Sequence, residues 1–544
     1  MVLLLIESAM DRASDDALNQ PPPYADVDLF ASDRPLREAV AANGGAAIAA
    51  ELAAFGREWG TAERFELARR ANVNAPRVDA NIVEFDPSYH QFMALSMQAG
   101  LHAMTWTENG TAASPPAEVA RAARYYMVAQ VENGHMCPIT MTRASVAALA
   151  AAPDLLGRLL PKIVARDYDA RFCPWWEKTA ITLGMGMTEK QGGTDVRANT
   201  TRAVPLSDGY AISGHKWFMS APMCDGFLVL AQAPGGLTCF FMPRFRPDGR
   251  LNGLNFLRLK DKLGNRSNAS SEVEFHDAFA LRVGDEGRGI RTILQMVQLT
   301  RLDCAIASAG LMRAALARAL HHCRHRTVFQ KKLIDQPMMR SVLADMALEM
   351  EGIVAVIMRL CRSFDLQRQD PMEAARARLL TPAIKYWICK SAPAFVYEAM
   401  ECLGGNGYVE DFVLARLYRE APVNAIWEGS GNVMGLDLLR AARDREAHGV
   451  IQSLVTEAGD LPGIAEAAHF IAMTLAAPDG EARARAATER LACLAATAAL
   501  SQSAPAIAPI FAQARLSARY GRCYGDADLQ HSATLLVDRA LTPP

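Results

Sequence analysis

The spacing of hydrophobic residues changes its period twice along the chain. From about residue 34 to 180, apolar positions recur at i, i+3 and i+4. Glu51-Leu-Ala-Ala-Phe-Gly-Arg-Glu-Trp59 and Ala117-Glu-Val-Ala-Arg-Ala-Ala-Arg-Tyr-Tyr-Met-Val-Ala129 each gather them on one helical face. Between about 181 and 288 the period falls to two. Tyr210-Ala-Ile-Ser-Gly214, Phe227-Leu-Val-Leu-Ala231, Leu237-Thr-Cys-Phe-Phe-Met242 and Glu272-Val-Glu-Phe-His276 read as short strands. The turn pairs Asp208-Gly209, Gly235-Gly236 and Asp248-Gly249 divide them into a compact antiparallel β domain.

Helical periodicity returns at about 289. Residues 292–326 hold one glycine and no proline, which predicts a single helix of roughly 50 Å at 1.5 Å per residue. A further helix over 374–403 contains Pro382 and Pro393, where kinks or breaks are expected. Residues 441–544 are alanine-rich and helical, interrupted at Pro462, Pro478, Pro505 and Pro509. The expected organisation is a disordered extension over 1–18, a helical domain over 19–180, the β domain over 181–288, and helical domains over 289–440 and 441–544.

A chain of 544 residues, 51% apolar and 21% charged, is long enough for several cores. The net charge of −2 exerts no overall pull on nucleic acid. Eleven scattered cysteines, never spaced Cys-x-x-Cys, point to reduced thiols in the cytoplasm, without disulfides or a zinc site. The opening run Met1 to Ile6 lacks a positive leader and ends at Glu7, so no signal peptide is expected there. No run of about 18 uninterrupted apolar residues exists to suggest a membrane span.

Chemistry concentrates in a few loops. Ile426-Trp-Glu-Gly-Ser-Gly-Asn432 sets one carboxylate between an aromatic residue and glycines that let backbone approach a flat ligand. Glu428 is there either a base or an acid near free helix-terminal amides. Gly184-Met-Gly-Met-Thr-Glu-Lys-Gln-Gly-Gly-Thr-Asp-Val196 offers amides and hydroxyls to a phosphate or a heterocycle edge, or forms an ordinary turn. It is not a dinucleotide fingerprint, and neither is the glycine spacing at 284–289 or 405–407. His215-Lys-Trp-Phe-Met-Ser220 reads as a strand that could wall a ring system or bury its tryptophan. Leu403-Gly-Gly-Asn-Gly-Tyr408 is a helix cap or a point of close ligand approach. His321 and His325 lie one helical turn apart without a supporting acid or cysteine, so a basic helix end is expected and no metal.

Taken in order, these segments resemble the acyl-CoA dehydrogenase flavoprotein family over roughly residues 90–440, and most closely its alkylation-response branch. Met185 to Asp195, Arg258-Leu-Lys-Asp-Lys-Leu-Gly-Asn-Arg-Ser-Asn-Ala-Ser270 and Ile426 to Asn432 carry the likeness to that branch. The tail beyond 440 and Asn19-Gln20-Pro21 near the front also fit it. The resemblance implies a mainly α fold with a central antiparallel β-barrel, a four-helix domain and an extra C-terminal helical domain. It implies FAD as cofactor, lined by Met185, Gly186, Met187, Thr188, Gly193, Thr194, Trp217, Phe218, Met219 and Ser220. Ile426, Trp427, Gly429, Ser430, Gly431 and Asn432 would pass beside the isoalloxazine. Arg326, Phe329, Gly404 and Gly405 would touch the FAD of a neighbouring subunit, which implies a homo-oligomer, with a tetramer as the expectation.

By the same resemblance Glu428 is the catalytic base. It removes the α-proton of a short or branched acyl-CoA while hydride passes from the β-carbon to flavin N5, and an unidentified acceptor reoxidises the flavin. Burial beside the ring and Trp427 should raise its pKa toward working pH. The alkylation-response branch also implies association with duplex DNA through a basic C-terminal domain. Here residues 445–544 hold eight arginines against ten acidic residues. Candidate DNA contacts are Arg440 at the domain junction and Arg515, Arg519 and Arg522, spaced i, i+4, i+7 on one helix face.

Overall fold

The computed structural model describes residues 19–517, 524, 529 and 531–541. The 1–18 segment, Arg519 and Arg522 lie outside the described residues. The N-terminal part is helical, and its apolar stretch over 34–59 is broken at Asn43 and Gly44, where φ is −107° and +91°. Leu36, Leu52 and Trp59 on either side of the break are buried in the helical core.

The helix predicted over 292–326 runs as Gly289–His325, roughly 55 Å long. Its Asp303 ties the N-terminal helices to it. Arg121 grips Asp303 in a bidentate pair at 2.7 and 2.6 Å, Arg143 adds a bond at 3.1 Å, and the Thr140 hydroxyl donates at 2.8 Å. All four side chains are buried, so the surrounding donors satisfy the charge that water would otherwise solvate.

Strands Leu183–Gly186, Tyr210–Ser220, Gly226–Ala233, Gly236–Pro243 and Ser270–Val283 pair in a closed ring. Arg202–Pro205 lies against two of them, and Leu254–Leu259 extends the last. The expectation of a purely antiparallel barrel needs correction. Leu183–Gly186 runs parallel to Gly226–Ala233, and Arg202 pairs in parallel with Gln232. After Gly186 the chain leaves the sheet for a long excursion, so no hairpin imposes antiparallel entry. The segments 210–214 and 215–220 form one strand. A register shift between Lys216 and Met219 frees Trp217 to donate its N–H to the Thr188 carbonyl at 2.8 Å.

Pro371–Cys402 continues through Pro382 and Pro393 without the expected break. Leu379, Leu380, Ile384, Phe395 and Val396 are buried on both sides of the prolines, and tertiary burial overrides the local cost. This helix, Gly289–His325, Pro337–Leu366 and Gly431–Ala441 pack together. The C-terminal helices share their core: Phe511 sits where a Cβ on Gly352 would come within 2.3 Å. Arg515 pairs with Asp345 at 2.6 Å and Glu349 at 2.8 Å, and Arg539 pairs with Glu351 at 2.5 Å.

Candidate functional site

Glu428 stands in the loop before Gly431–Ala441 with a left-handed backbone, φ +58°. A non-glycine residue there carries strain of about 1–3 kcal/mol, which the surroundings must hold. Three contacts do so. Lys385, buried on Pro371–Cys402, donates to the carbonyls of Trp427 at 3.0 Å and Gly429 at 2.5 Å. Arg301 Nε donates to the Glu428 carbonyl at 2.9 Å and is itself held by Asp437 at 2.7 Å. Trp427 Nε1 donates to Asn424 Oδ1 at 2.7 Å. Gly429, at φ +112°, completes the turn; a Cβ there would lie 2.6 Å from Met434 Cε.

The carboxylate accepts from the Thr300 hydroxyl at 2.8 Å. Burial raises the Glu428 pKa, and the Thr300 hydrogen bond with the Arg301 and Lys385 charges offsets only part of that rise. Thr300 also reaches the Val297 carbonyl at 3.0 Å. Its single proton therefore serves the carboxylate when Glu428 is ionised. When Glu428 is protonated, the acid can donate to Thr300 while the hydroxyl proton turns to Val297. The site accommodates both states of a base.

Cys137 stands at the start of Met136–Leu149. Burial pushes its thiol up to about 12, and the Glu428 charge acts in the same direction. Ser220 pairs with Met185 across the strand edge. Met187 and Thr188 follow, half-buried, with Gly193 and Thr194 exposed on the return of the loop. Glu189, in the same motif, turns into the barrel to meet Lys216 at 2.7 Å and anchors the loop. Phe218 leaves 48% of its surface exposed on a barrel strand, with Lys260 Nζ 4.6 Å from its ring and 3.4 Å from that of Trp217. The Met219 side chain is fully buried in the core. Ile426 is 67% exposed, and Ser430 and Asn432 are exposed beside it.

Other sequence candidates lie elsewhere. Arg326 caps Gly289–His325 and donates to the Asn19 carbonyl at 2.8 Å; Phe329 is 89% exposed with φ +51°. Gly404 and Gly405 face open space. The stretch Asn19-Gln20 straps these two regions, bonding Thr327 at 2.8 Å and Asn406 at 3.3 Å. His321 and His325 hydrogen-bond to backbone carbonyls, and no group of metal-ligating residues forms among the described residues. Arg440 is exposed. Arg515 is corrected: it points inward to Asp345 and Glu349, because the helix face that displays it is the one that packs.

Thr300, Arg301, Lys385 and Cys137 were missed from the sequence. The available signal was a set of polar residues inside strongly apolar helical stretches, Leu299-Thr-Arg-Leu302 and Ala383-Ile-Lys-Tyr386.

Residues 19–170 match the Adaptive response protein AidB N-terminal domain, 184–278 the acyl-CoA dehydrogenase middle domain, and 287–442 the acyl-CoA dehydrogenase C-terminal domain. The chain is 51% identical over 439 residues to the putative acyl-CoA dehydrogenase AidB of Escherichia coli K12, covering 78% of this chain and 79% of that one. The chain belongs to the acyl-CoA dehydrogenase family. Its cofactor is accordingly FAD. Among solved structures, Caenorhabditis elegans ACDH-11 in complex with C11-CoA superposes with a TM-score of 0.83 at 26% identity, covering 97% of this chain and 98% of that one. An acyl-CoA dehydrogenase complexed with FAD from Bacillus anthracis shares the fold, with a TM-score of 0.63 at 16% identity and coverage of 83% and 80%.

The residues present suit a flat, polar-edged cofactor. Phe218 and Ile426 are apolar side chains left exposed, and a bound heterocycle would cover such surface. A Cβ on Gly431 would stand 3.1 Å from the Tyr386 ring, a tight contact that favours glycine.

Proposed function

We propose that the protein is an FAD-dependent acyl-CoA dehydrogenase that introduces an α,β double bond into a short or branched acyl-CoA, with Glu428 as the base. The observation that carries this reading is the Glu428 carboxylate, raised in pKa by burial, hydrogen-bonded to Thr300 and fixed by a strained, clamped turn. The α-proton of a thioester is too weakly acidic to leave unaided. A carboxylate whose pKa is raised by burial is a stronger base toward that proton than an exposed one. The Glu428 N–H has no protein acceptor among the described residues and would donate to the thioester oxygen as negative charge develops there. Bound FAD supplies the hydride acceptor. Met185, Thr188, Trp217 and Ser220 would hold its ring, with Gly429 to Asn432 as the ledge beside it.

The C11-CoA bound by ACDH-11 supports acyl-CoA as the substrate class. The exposed Phe329, together with Arg326 and the Gly404-Gly405 turn, supports a homo-oligomer in which a second copy covers this surface. Anaerobic titration with isovaleryl-CoA and longer thioesters tests the activity. The wild-type flavin should bleach, and Glu428→Gln should retain flavin without bleaching. Full bleaching by that variant removes Glu428 from the role.

A second reading, association with duplex DNA in alkylation defence, follows from the resemblance of the motifs to the alkylation-response branch. Arg515 no longer serves it, and Arg440 is the exposed candidate among the described residues. A log–log slope of DNA affinity against salt near zero would end this reading.

A further inference from the structure

A cavity lies between the Pro87–Gln98 helix, the linker at 168–173 and one end of the barrel. Its cavity volume is about 70 Å³, with a mouth open to solvent. Neither Glu428, Thr300, Trp217 nor Ser220 lines it.

Its charged lining pairs off except for one group. Arg171 holds Asp169 at 2.6 Å and Lys178 holds Asp225 at 2.6 Å. Burial lowers the His90 pKa, which keeps that ring neutral near pH 7. Arg244 remains. It is 3% exposed, has no carboxylate in ion-pair range among the described residues, and gives one side-chain hydrogen bond, from Nη2 to the Asn81 carbonyl at 2.5 Å. Its Nε is buried without a partner. The Phe256 and Phe172 rings lie 4.6 and 5.4 Å from the guanidinium. They soften the burial of the charge, but they supply no acceptor for its N–H groups.

We infer that this cavity is a binding site for a small aromatic carboxylate, whose two oxygens take the Arg244 fork. A planar guanidinium with free donors matches a carboxylate in geometry and charge. Aromatic side chains form the walls: Phe172 and Phe245 have centroids 5.1 Å apart, and Phe85 stacks on Tyr89 at 4.1 Å. Such walls favour a flat apolar body. The Tyr168 hydroxyl, 2.9 Å from His90 Nδ1, adds one polar group at the rim of the apolar surface.

Benzoate is the probe, titrated into FAD-loaded protein by isothermal calorimetry. One molecule should bind saturably per chain. Arg244→Gln should weaken binding about tenfold or more, the loss expected for a charge-assisted hydrogen-bonded pair. Ala170→Phe, at the exposed rim, should block entry without touching a buried group, which preserves the test where Arg244→Gln fails to fold. Glu428→Gln should bind benzoate as the wild type does, and bleaching by isovaleryl-CoA should proceed with benzoate present. Absence of saturable binding at millimolar benzoate overturns the inference. So does binding that survives both cavity variants, or binding abolished by Glu428→Gln.

Discussion

The Thr300 hydroxyl lies 2.8 Å from Glu428 Oε2, joining two residues 128 positions apart in sequence. This bond stabilises the ionised carboxylate against the burial that raises its pKa. Catalysis needs the ionised form, so activity should fall as pH drops through the Glu428 pKa. Thr300→Val removes a donor to the charged form and should move the acid limb of the flavin-reduction rate to higher pH. An unmoved limb would mean that Thr300 does not tune the base.

Lys385→Met should destabilise the fold by about 2–3 kcal/mol, because the Trp427 and Gly429 carbonyls lose a charged donor in a buried setting. Urea unfolding at fixed FAD concentration measures this. The same variant should reduce bleaching, since the clamp that fixes Glu428 is gone. Wild-type stability and rate together would show that the turn holds itself.

Gly429→Ala and Gly157→Ala should act in opposite directions. At Gly429 the backbone sits at φ +112° and a Cβ meets Met434, so alanine should cost about 1–3 kcal/mol and weaken FAD retention. At Gly157, inside Pro153–Ile163, a Cβ meets nothing within 4 Å. Alanine there should stabilise by about 0.5–1 kcal/mol. Paired thermal melts and flavin content of the purified variants decide both.

Arg515→Met should destabilise by about 3–5 kcal/mol, as it removes the charged partner that Glu349 meets in a buried setting. Any duplex DNA affinity should remain at the wild-type value once the variant is held under folding conditions. A selective loss of DNA binding with unchanged stability would restore Arg515 as a surface contact.

The long helix and the alternating strands were legible because their periodicity is local. Gly289–His325 ends one residue from its expected terminus, and the strand segments at 227–231 and 237–242 fall within observed strands. Leu183–Gly186 and Arg202–Pro205 escaped notice because a glycine-rich strand and a four-residue strand lack an alternating signal. The prolines of Pro371–Cys402 misled for the opposite reason: their local penalty was overridden by burial along the whole helix.

The sequence alone determined the family motifs, the carboxylate at Glu428 and the glycines around it, since ordered short motifs and backbone permissiveness are properties of consecutive residues. Tertiary structure alone decided how Glu428 is tuned. Thr300, Arg301 and Lys385 come from two other helices, and only packing brings their donors to one loop. It also decided that Arg515 is inside while Arg440 is outside, because which face of a helix meets solvent depends on what packs against it.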